Sequence, residues 1–557
     1  MNRRLLSFLL ICILWLPAFP GQNFVTAQIA PGYYAIRFSG KPGNLYSLER
    51  PQEFLSARAV ERRIRLHIPP DSSDLPVTGF YLDSLRNIGL SVVCTSRWFN
   101  LAVVATTDTV LIHKAMQLPF VASVRKAERV SIPQKALRDK WTQESFSEAL
   151  SPLSQSDYGV AYTQIHLHKG DTLHTLGYLG RGIRIAVLDA GFYHADTLPA
   201  FRSLYENHRI LGTRDFVAPG TAVYEDHPHG MQVLSIMAGN LPGEYIGTAP
   251  EASYYLLRTE NTAGEYIVEE YYWTAGAEFA DSAGADIIHA SLGYTVFDDP
   301  AQNHTYNDMN GKTTLVSRAA SMAAKKGMMV VISAGNEGNT SWKYISAPAD
   351  ADSILAVGAI TATGSLASFS SRGPSSDGRI KPDVVAMGVG TFVQNTGGSF
   401  SPGNGTSFAS PIITGLTACL WQAEPSLSPV ELRTAILMSG SQANSPDTLK
   451  GYGVPDFSRA LQIVRQMVRM KTDSGKISLF PNPVHDNLNV AIFCEPAGEI
   501  TIDIFNISGA LVWKTAHREY PSAPVFLPLN IRQLSPGVYL LRYSDATHRT
   551  TLRFIKQ

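Results

Sequence analysis

The segment 403–411 reads Gly-Asn-Gly-Thr-Ser-Phe-Ala-Ser-Pro, and the rest of the chain can be interpreted outward from it. Its glycines form a loop that leads into a mostly apolar helix, and a proline is tolerated in the first turn of such a helix. Ser407 stands where the loop meets the helix. Two interpretations are open for it: an N-cap residue, or a nucleophile whose oxyanion would be stabilised by the helix N-terminus.

Three other segments place a polar side chain at the end of a strand or the start of a helix. Asp189 ends the apolar strand of segment 185–191, at the sheet edge where open α/β folds place their sites. His229 opens an apolar helix, which the rival base His227 does not. Asn336 lies in a Gly-bounded turn and has an amide that could donate to an oxyanion. Considered one at a time, these residues would be interpreted as a capping aspartate, a structural histidine and an Asx-turn asparagine.

The order of these residues along the chain separates two classes of serine hydrolase. Asp189, His229 and Ser407 follow in the order acid, base, nucleophile, with Asn336 between base and nucleophile. An α/β-hydrolase requires the order nucleophile, acid, base and a Gly-x-Ser-x-Gly motif, whereas Ala409 stands two residues after Ser407. The order found here is that of the subtilisin-like enzymes.

The region 158–467 resembles the peptidase domain of the subtilases. The most specific match is Gly-Thr-Ser-Phe-Ala-Ser-Pro at 405–411, and Phe-Ser-Ser-Arg-Gly-Pro at 369–374 and Lys-Pro-Asp-Val at 381–384 are also typical. The chain departs from the family at 231–232, where Met-Gln replaces the usual Thr-His. Both positions lie off the proton path, so the departure puts in doubt the packing of the helix rather than the chemistry.

The resemblance implies a role for each candidate residue. Asp189 orients the imidazole of His229 and stabilises its charged form, and His229 is the general base and then the acid. Ser407 attacks the scissile carbonyl, while Asn336 and the Ser407 backbone N–H donate to the oxyanion. The strand segment that pairs with the substrate backbone beside the S1 pocket is matched by Ser291, Leu292 and Gly293.

Pattern changes along the 557 residues predict several domains, as the length alone suggests. The expected fold class is α/β: a subtilisin-like three-layer domain with a parallel sheet, preceded by a small α+β propeptide and followed by a C-terminal β-sandwich. The predicted boundaries are a signal peptide at 1–27, the propeptide at 28–135, a linker at 136–157, the peptidase domain at 158–467, a linker at 468–476 and a sorting domain at 477–557.

The first 27 residues have the parts of a signal peptide. Arg3 and Arg4 precede the apolar run 5–16, which is shorter than the roughly 18–20 residues needed to span a bilayer, and a small-residue cleavage site ends at Ala27. Of the four cysteines, three widely spaced ones remain after cleavage. No disulfide framework is therefore predicted, and ordinary cores must hold the exported protein.

The two flanks extend the resemblance. Residues 28–135 match the inhibitory propeptide of subtilases in position and in α+β pattern. The tail is similar to the C-terminal sorting domain of type IX secretion in its motifs at 479–483, 504–509 and 536–539 and in the basic end at Lys556. This implies export through the periplasm to the medium or outer cell surface of a double-membraned bacterium. The alternative for the tail is a passive β-sandwich or glycan-binding module.

The composition limits the classes of molecule that this chain is expected to bind. Lys+Arg and Asp+Glu are both 47, so the formal net charge is zero and no global field attracts the chain to nucleic acid or an anionic membrane. With 17% charged and 45% apolar residues the chain is not of the disordered class. The expected partners are protein or peptide substrates, the chain's own propeptide as inhibitor and the type IX secretion machinery, with no nucleic acid and no transmembrane span.

No cofactor is expected for catalysis, and the resemblance leaves structural calcium open. The histidines 166, 168 and 174 fit no standard zinc spacing. An oxygen-rich loop is either a calcium site or a solvated loop; it contains Asp298, Asp299, Asp308 and Asn310. The sequence therefore assigns no metal site.

These observations predict a secreted serine endopeptidase that hydrolyses peptide bonds through an Asp-His-Ser triad and an acyl-enzyme intermediate. The alternative from another class is a catalytically silent subtilase-fold binding or adhesion protein. The presence of the whole set favours the enzyme, because a silent relative has no need of Asp189, His229, Asn336 and Ser407 together.

Overall fold

The computed structural model describes residues 32–127, 157–473, 477–480, 482–518 and 525–557. The predicted signal peptide lies outside these residues, as does the linker predicted at 136–157 except for Asp157.

The N-terminal unit is an antiparallel four-stranded sheet with helices. Its elements are β1 (Gly32–Phe38), α1 (Ala57–Arg65), α2 (Gly79–Asn87), β2 (Ser91–Ser96), β3 (Leu101–Thr106), α3 (Thr109–Met116) and β4 (Val121–Lys126). The strand order is β2-β3-β1-β4. Because neighbouring strand residues point to opposite faces, Ile36 and Phe38 pack with Tyr81 of α2, while Ala35 joins the core of the next domain together with Trp98. The α+β expectation is met, and α1 and α2 were not predicted.

The central domain is a three-layer α/β structure, as predicted. Its sheet has seven parallel strands in the order β13-β12-β11-β10-β5-β9-β6. These strands are β5 (Arg184–Asp189), β6 (Ile210–Asp215), β9 (Ser253–Arg258), β10 (Ile287–Ala290), β11 (Met329–Ser333), β12 (Leu355–Ile360) and β13 (Val384–Met387). The four strands β10 to β13 are buried at every position because helices cover both faces of the sheet.

Helices and short strands complete this domain. They are α4 (Tyr162–His166), α5 (Gly170–Thr175), α6 (Arg202–Glu206), α7 (His229–Ala238), β7 (Asn240–Leu241), β8 (Tyr245–Ile246), α8 (Val268–Ala283), α9 (Leu315–Lys325), β14 (Thr391–Gln394), β15 (Phe400–Gly403), α10 (Thr406–Ala423), α11 (Pro429–Ser439) and α12 (Phe457–Asp473). The core that contains residues of α7 and α10 is distinct from the one that contains residues of α8 and α9. The sheet lies between these two cores.

Two sequence expectations about helices need correction. Pro411 does not lie in the first turn of its helix, because α10 begins at Thr406 and Pro411 is inside it. Helix α12 continues to Asp473, so the boundary predicted at 467 falls within a helix. The prediction failed because polar composition alone does not distinguish the end of a helix from a linker.

The C-terminal unit has two antiparallel sheets around one core. Its strands are β16 (Ile477–Phe480), β17 (Asn487–Ile492), β18 (Ile500–Asn506), β19 (Leu511–His517), β20 (Val525–Asn530), β21 (Gly537–Ser544) and β22 (Arg549–Lys556). The sheet orders are β16-β17-β20 and β19-β18-β21-β22. The enclosed core includes Leu488, Ile502 and Leu541. This is the predicted β-sandwich.

Three cysteines lie within the described ranges. No disulfide joins Cys94, Cys419 and Cys494 to one another, and Cys419 is fully buried. Burial raises the pKa of Cys94 to about 12, so this thiol is a poor nucleophile at neutral pH. Across the same ranges, no helix combines the length and the apolar character that crossing a membrane requires.

Candidate active site

Three adjacent strands of the central sheet end at the candidate site. Strand β5 ends at Asp189, β10 is followed by Ser291, and β11 leads into the turn that holds Asn336. Because the strands are parallel, their carboxyl ends meet at one edge, where α/β folds place ligands. Ser407 reaches the same edge from the first turn of α10.

Asp189 and His229 form a direct pair. His229 Nδ1 lies 2.8 Å from Asp189 Oδ1, and the aspartate, which is fully buried, also accepts a 2.7 Å hydrogen bond from the Ala190 N–H. A carboxylate at Nδ1 keeps the proton on that nitrogen. The other ring nitrogen, Nε2, is then available to exchange a proton.

His227 has a different part in the structure. Its Nδ1 accepts the backbone N–H of His229 at 3.2 Å, so its ring caps the start of α7.

The departure from the family at 231–232 lies in the same helix. Met231 is fully buried in the core and Gln232 is half-buried. The departure from the usual Thr-His is thus accommodated by apolar packing at Met231.

Close backbone packing holds Asp189 and His229 together. A Cβ on Gly230 would lie 2.4 Å from the Gly191 carbonyl oxygen and 2.8 Å from the Asp189 Cβ, so only glycine fits there. Arg258 braces the same loops: its Nε donates to the Ala190 carbonyl at 3.1 Å. Its other nitrogens contact the carboxylates of Asp215 at 2.9 Å and Asp226 at 3.2 Å. One guanidinium thereby ties the loop after Asp189 to the loop before His229, and no sequence motif indicated it.

Ser407 is 7% exposed and faces the substrate-strand segment. Its Oγ donates to the Ser291 carbonyl at 3.3 Å, and the Ser291 hydroxyl donates to the Ser407 carbonyl at 2.9 Å. The Phe408 ring lies 6.0 Å from the His229 ring, centroid to centroid. The nucleophile candidate and the base candidate therefore come from neighbouring helices.

Asn336 is oriented by the residue before Ser407. Its Oδ1 accepts the backbone N–H and the hydroxyl of Thr406, each at 2.9 Å, so Nδ2 points away as a donor. A Cβ placed on Gly405 would lie 3.6 Å from the Ser407 backbone nitrogen and 3.8 Å from Asn336 Nδ2. The absence of a side chain at Gly405 leaves space beside these two N–H donors, from which an oxyanion could accept hydrogen bonds.

The turn that holds Asn336 is braced by the motif at 369–374. The Ser371 hydroxyl accepts the Glu337 backbone N–H at 3.0 Å and donates to the Glu337 carboxylate at 2.7 Å. Gly338 N–H bonds the Phe369 carbonyl at 2.7 Å. Burial raises the pKa of Glu337, against the opposing hydrogen bond from Ser371. This motif therefore supports the candidate oxyanion donor.

The motif at 381–384 has a structural role below the sheet edge. Asp383 accepts from Lys381 Nζ at 2.7 Å, from the Ala356 N–H at 2.8 Å and from Arg433 at 2.5 Å. Burial works to raise the pKa of Asp383, but the two cations outweigh it and the pKa is lowered. The motif fastens strand β12 to helix α11.

The substrate-strand candidates run directly on from β10. Leu292 is 3% exposed, and a Cβ on Gly293 would lie 2.1 Å from the Ser346 hydroxyl. The next residue, Tyr294, pairs with Ala347 through backbone hydrogen bonds of 2.8 and 3.3 Å. The segment is therefore held in place by the neighbouring residues 346–347.

The oxygen-rich loop does not gather into a metal site. Asp298 and Asp299 accept backbone N–H groups of Glu265 and Ala301, and Asp308 caps Thr305. Asn310 is likewise used in a turn. These oxygens are occupied by their own loops, which the sequence spacing did not show.

Within the described ranges, one cluster of three carboxylates has ligand atoms that all lie within 4.8 Å of one another. It consists of Glu260, Glu265 and Glu269. Protein donors already serve it: the Tyr294 hydroxyl bonds Glu260, and two backbone N–H groups bond Glu269.

A buried charge cluster joins the N-terminal unit to the central domain. Asp281 of α8 binds Arg62 and Arg63 of α1 and Arg97 after β2, with distances of 2.8 Å to Arg63 and 2.6 Å to Arg97. Arg63 also binds Asp74 at 3.0 Å, which in turn binds Lys326 at 2.9 Å.

This cluster depends on charge at both sides of the contact. Asp281 is fully buried, and a buried carboxylate or guanidinium group without an oppositely charged partner would lower the stability of the contact. Burial works to raise the pKa of Asp74, but Arg63 and Lys326 outweigh it and lower this pKa to about 2. The N-terminal unit is thus bound by charge complementarity as well as by apolar packing.

Comparisons with known proteins match all three units. The family described as "Subtilase family" matches residues 180–453, "Peptidase S8 propeptide domain, Bacteroidota" matches 33–144, and "Secretion system C-terminal sorting domain" matches 478–557.

Individual relatives align with the central domain. Subtilisin DY of Bacillus licheniformis is 29% identical over 302 residues, which cover 54% of this chain and 97% of that protein. A subtilisin of Bacillus pumilus is 30% identical over 269 residues, or 48% of this chain and 86% of the relative. Subtilisin E of Bacillus subtilis (strain 168) is also 30% identical over 269 residues, and the alignment spans 62% of its length.

Proposed function

Because this chain belongs to the subtilase family of serine peptidases, we propose that Asp189, His229 and Ser407 are its catalytic triad and that Asn336 is its oxyanion donor. The protein is a serine endopeptidase with a propeptide and a sorting domain, and it is secreted or attached to the outer cell surface. The 2.8 Å contact between Asp189 and His229, at the sheet edge that Ser407 also reaches, is the observation that carries the assignment.

The reaction follows from the proton positions. His229 Nε2 takes the proton of the Ser407 hydroxyl as Oγ attacks the scissile carbonyl carbon, and Asp189 stabilises the imidazolium that forms. The carbonyl oxygen becomes an oxyanion that accepts hydrogen bonds from Asn336 Nδ2 and the Ser407 N–H. His229 then gives its proton to the leaving amine, and an acyl-enzyme on Ser407 remains. Water, deprotonated by His229, hydrolyses this ester and regenerates the serine.

The substrate would lie as an added strand on Ser291, Leu292 and Gly293. Strand addition uses main-chain hydrogen bonds, so it positions many sequences in one register. The attachment of this segment to Ser346 and Ala347 supports the assignment, because a fixed segment loses little entropy on pairing. The substrates of such a site are extended segments of proteins or peptides.

The order of the remaining segments is that of a precursor protein. We propose a signal peptide at 1–27, a propeptide at 28–135 and a peptidase domain that starts at 158 and ends with α12 at Asp473. The propeptide would act as the enzyme's inhibitor while its α1 and sheet cover α8. Residues 477–557 would be recognised by the type IX secretion machinery.

Catalysis in this family needs no cofactor. Structural calcium stays a proposal without an assigned site. The three glutamates 260, 265 and 269 offer oxygen ligands, but the protein's own hydroxyl and N–H donors already bind two of them.

An activity-based probe tests the assignment. A fluorophosphonate reacts with an activated serine, so the mature enzyme should be labelled and its Ser407→Ala variant should not be. Failure to label the correctly folded mature protein would favour the silent binding protein instead. Labelling that persists in the Ser407→Ala variant would place the nucleophile elsewhere.

A further inference from the structure

A second histidine contacts Ser291, the hydrogen-bond partner of Ser407, and has no part in the proposed reaction. His289 on β10 is fully buried. Its Nδ1 lies 2.8 Å from the Thr414 hydroxyl and its Nε2 lies 2.9 Å from the Ser291 hydroxyl. Burial, and to a smaller extent the charge on His229, lower the pKa of His289 to about 3, so the ring is neutral at physiological pH. A neutral ring has only one N–H to give.

The Ser407 carbonyl needs a donor from outside its helix. In an α-helix this oxygen accepts the N–H of the fourth residue on, which here is Pro411 and has none. The Ser291 hydroxyl supplies the bond at 2.9 Å. A buried carbonyl left without this hydrogen bond would cost free energy. The Ser291 hydroxyl is therefore expected to donate its proton to the Ser407 carbonyl rather than to another neighbour.

A hydroxyl has one proton, and this decides the state of the histidine. If Ser291 gives its proton to the Ser407 carbonyl, it can only accept from its other two neighbours, His289 Nε2 and the Ser410 hydroxyl at 3.1 Å. Nε2 must therefore carry the ring's proton, and Nδ1 must accept from Thr414. The opposite tautomer would make Ser291 donate to the ring and leave the Ser407 carbonyl unpaired.

The hydrogen bonds at His289 Nδ1 are compatible with the Nε2–H tautomer. The Thr414 hydroxyl can donate either to His289 Nδ1 or to the Ser410 carbonyl, which lies 3.0 Å away. The Ser410 carbonyl still has the helical N–H of Thr414, four residues on, as its partner. Losing the Thr414 hydroxyl therefore costs that carbonyl little, whereas losing the Ser291 hydroxyl would leave the Ser407 carbonyl without a donor.

We infer that His289 is a positioning residue: as its Nε2–H tautomer it holds the Ser291 hydroxyl as a donor to the Ser407 carbonyl, and so fixes the first turns of α10 that carry the nucleophile. This inference rests on the proposed role of Ser407. The Ser291 hydroxyl then replaces the helical N–H that Pro411 lacks, and His289 keeps that hydroxyl oriented. The same bond keeps the substrate-strand segment and the nucleophile in register.

Nitrogen NMR tests the tautomer without reference to activity. The full-length Ser407→Ala protein is labelled with ¹⁵N-histidine, and the His289 signals are identified as those lost in a His289→Gln version of the same protein. We expect a protonated Nε2 and an unprotonated Nδ1, unchanged from about pH 5 to pH 8. An Nδ1–H tautomer, or a doubly protonated ring in that range, would overturn the inference while leaving the proposed triad untouched.

A kinetic cycle tests the route through Ser291. His289→Phe removes both ring nitrogens, and we expect kcat to fall about tenfold with KM nearly unchanged, because the nucleophile and not the substrate is displaced. His289→Gln keeps an amide N–H near the position of Nε2 and should retain most of kcat. In a Ser291→Ala background the His289→Phe change should add little further loss. Independent, multiplicative losses, or wild-type kcat in the Phe variant, would contradict the inference.

Discussion

Ser291 and Ser407 exchange hydrogen bonds across 116 residues of chain: each side chain donates to the backbone carbonyl of the other, at 2.9 Å from Ser291 and 3.3 Å from Ser407. The substrate-strand segment and the first turn of α10 are consequently one rigid unit. In the proposed reaction, the Ser407 hydroxyl leaves the Ser291 carbonyl when it gives its proton to His229. Its longer bond, at 3.3 Å, makes that change inexpensive.

The donor role of Asn336 can be separated from its acceptor role. Asn336→Ala should lower kcat by about 10²–10³ with little change in KM, the range seen for loss of such a donor in subtilisin. Asn336→Asp keeps an oxygen for the Thr406 N–H and hydroxyl but removes the Nδ2 donor, so kcat should fall at least as far. Steady-state kinetics on a peptide substrate give both constants. Near-normal activity in the Asp variant would mean that Asn336 acts only as the acceptor for Thr406.

The Asp281 cluster should control how firmly the N-terminal unit is held. In the Ser407→Ala precursor, which we expect to retain its N-terminal unit, Asp281→Asn should weaken the attachment of this unit by about 2–5 kcal/mol. The reason is that Arg62, Arg63 and Arg97 lose a buried partner. Amide hydrogen exchange in β1 and β3 reports the opening of the unit.

A surface pair in the same unit provides the control. Arg86 and Asp83 are 54% and 67% exposed, and Arg86→Met should change the opening free energy by less than about 1 kcal/mol. Equal effects of the Arg86 and Asp281 substitutions would show that the buried cluster does not hold the unit.

Acid should loosen the same contact through Asp74. Its pKa is lowered from 3.8 to about 2 in the folded precursor, so its contribution is complete above about pH 4 and is lost as the pH falls toward 2. The shift corresponds to about 2 kcal/mol of stability. Denaturation of the Ser407→Ala precursor at a series of pH values measures it. In Asp74→Asn this part of the pH dependence should disappear, and an unchanged slope would refute the assignment to Asp74.

Deleting 477–557 should leave an active peptidase that stays in the periplasm. The seven-stranded sheet and α12 are complete at Asp473. The tail contacts the central domain through an Asn487–Asn444 hydrogen bond and by packing Phe480 and Ala491 into its core. Exposing that apolar contact should lower the melting temperature modestly. Cell fractionation with an activity assay gives the outcome.

Two results would contradict this prediction for the tail. Normal appearance of the truncated enzyme in the medium would refute the sorting role. Inactive, misfolded protein would show that Phe480 and Ala491 are required by the fold.

Motifs and periodicity predicted the architecture because both depend on neighbours in the chain. Apolar runs between helices predicted a parallel sheet, and the strand predicted to end at Asp189 does end there, as β5. The motif at 405–411 singled out Ser407 without any contact being known. The same local reasoning misplaced Pro411 and read the end of α12 as a linker, since composition does not mark where a helix begins or ends.

The sequence by itself determined the three-unit order, the central α/β class and the residue types at the strand ends, since periodic burial and short motifs are local properties. Only the tertiary structure decided which groups support them. Arg258, His289 and Asp281 have no motif, and their partners lie on other elements of the fold. Their significance comes from burial, because a charge or a polar hydrogen far from water must find its partner in space, wherever the chain has placed it.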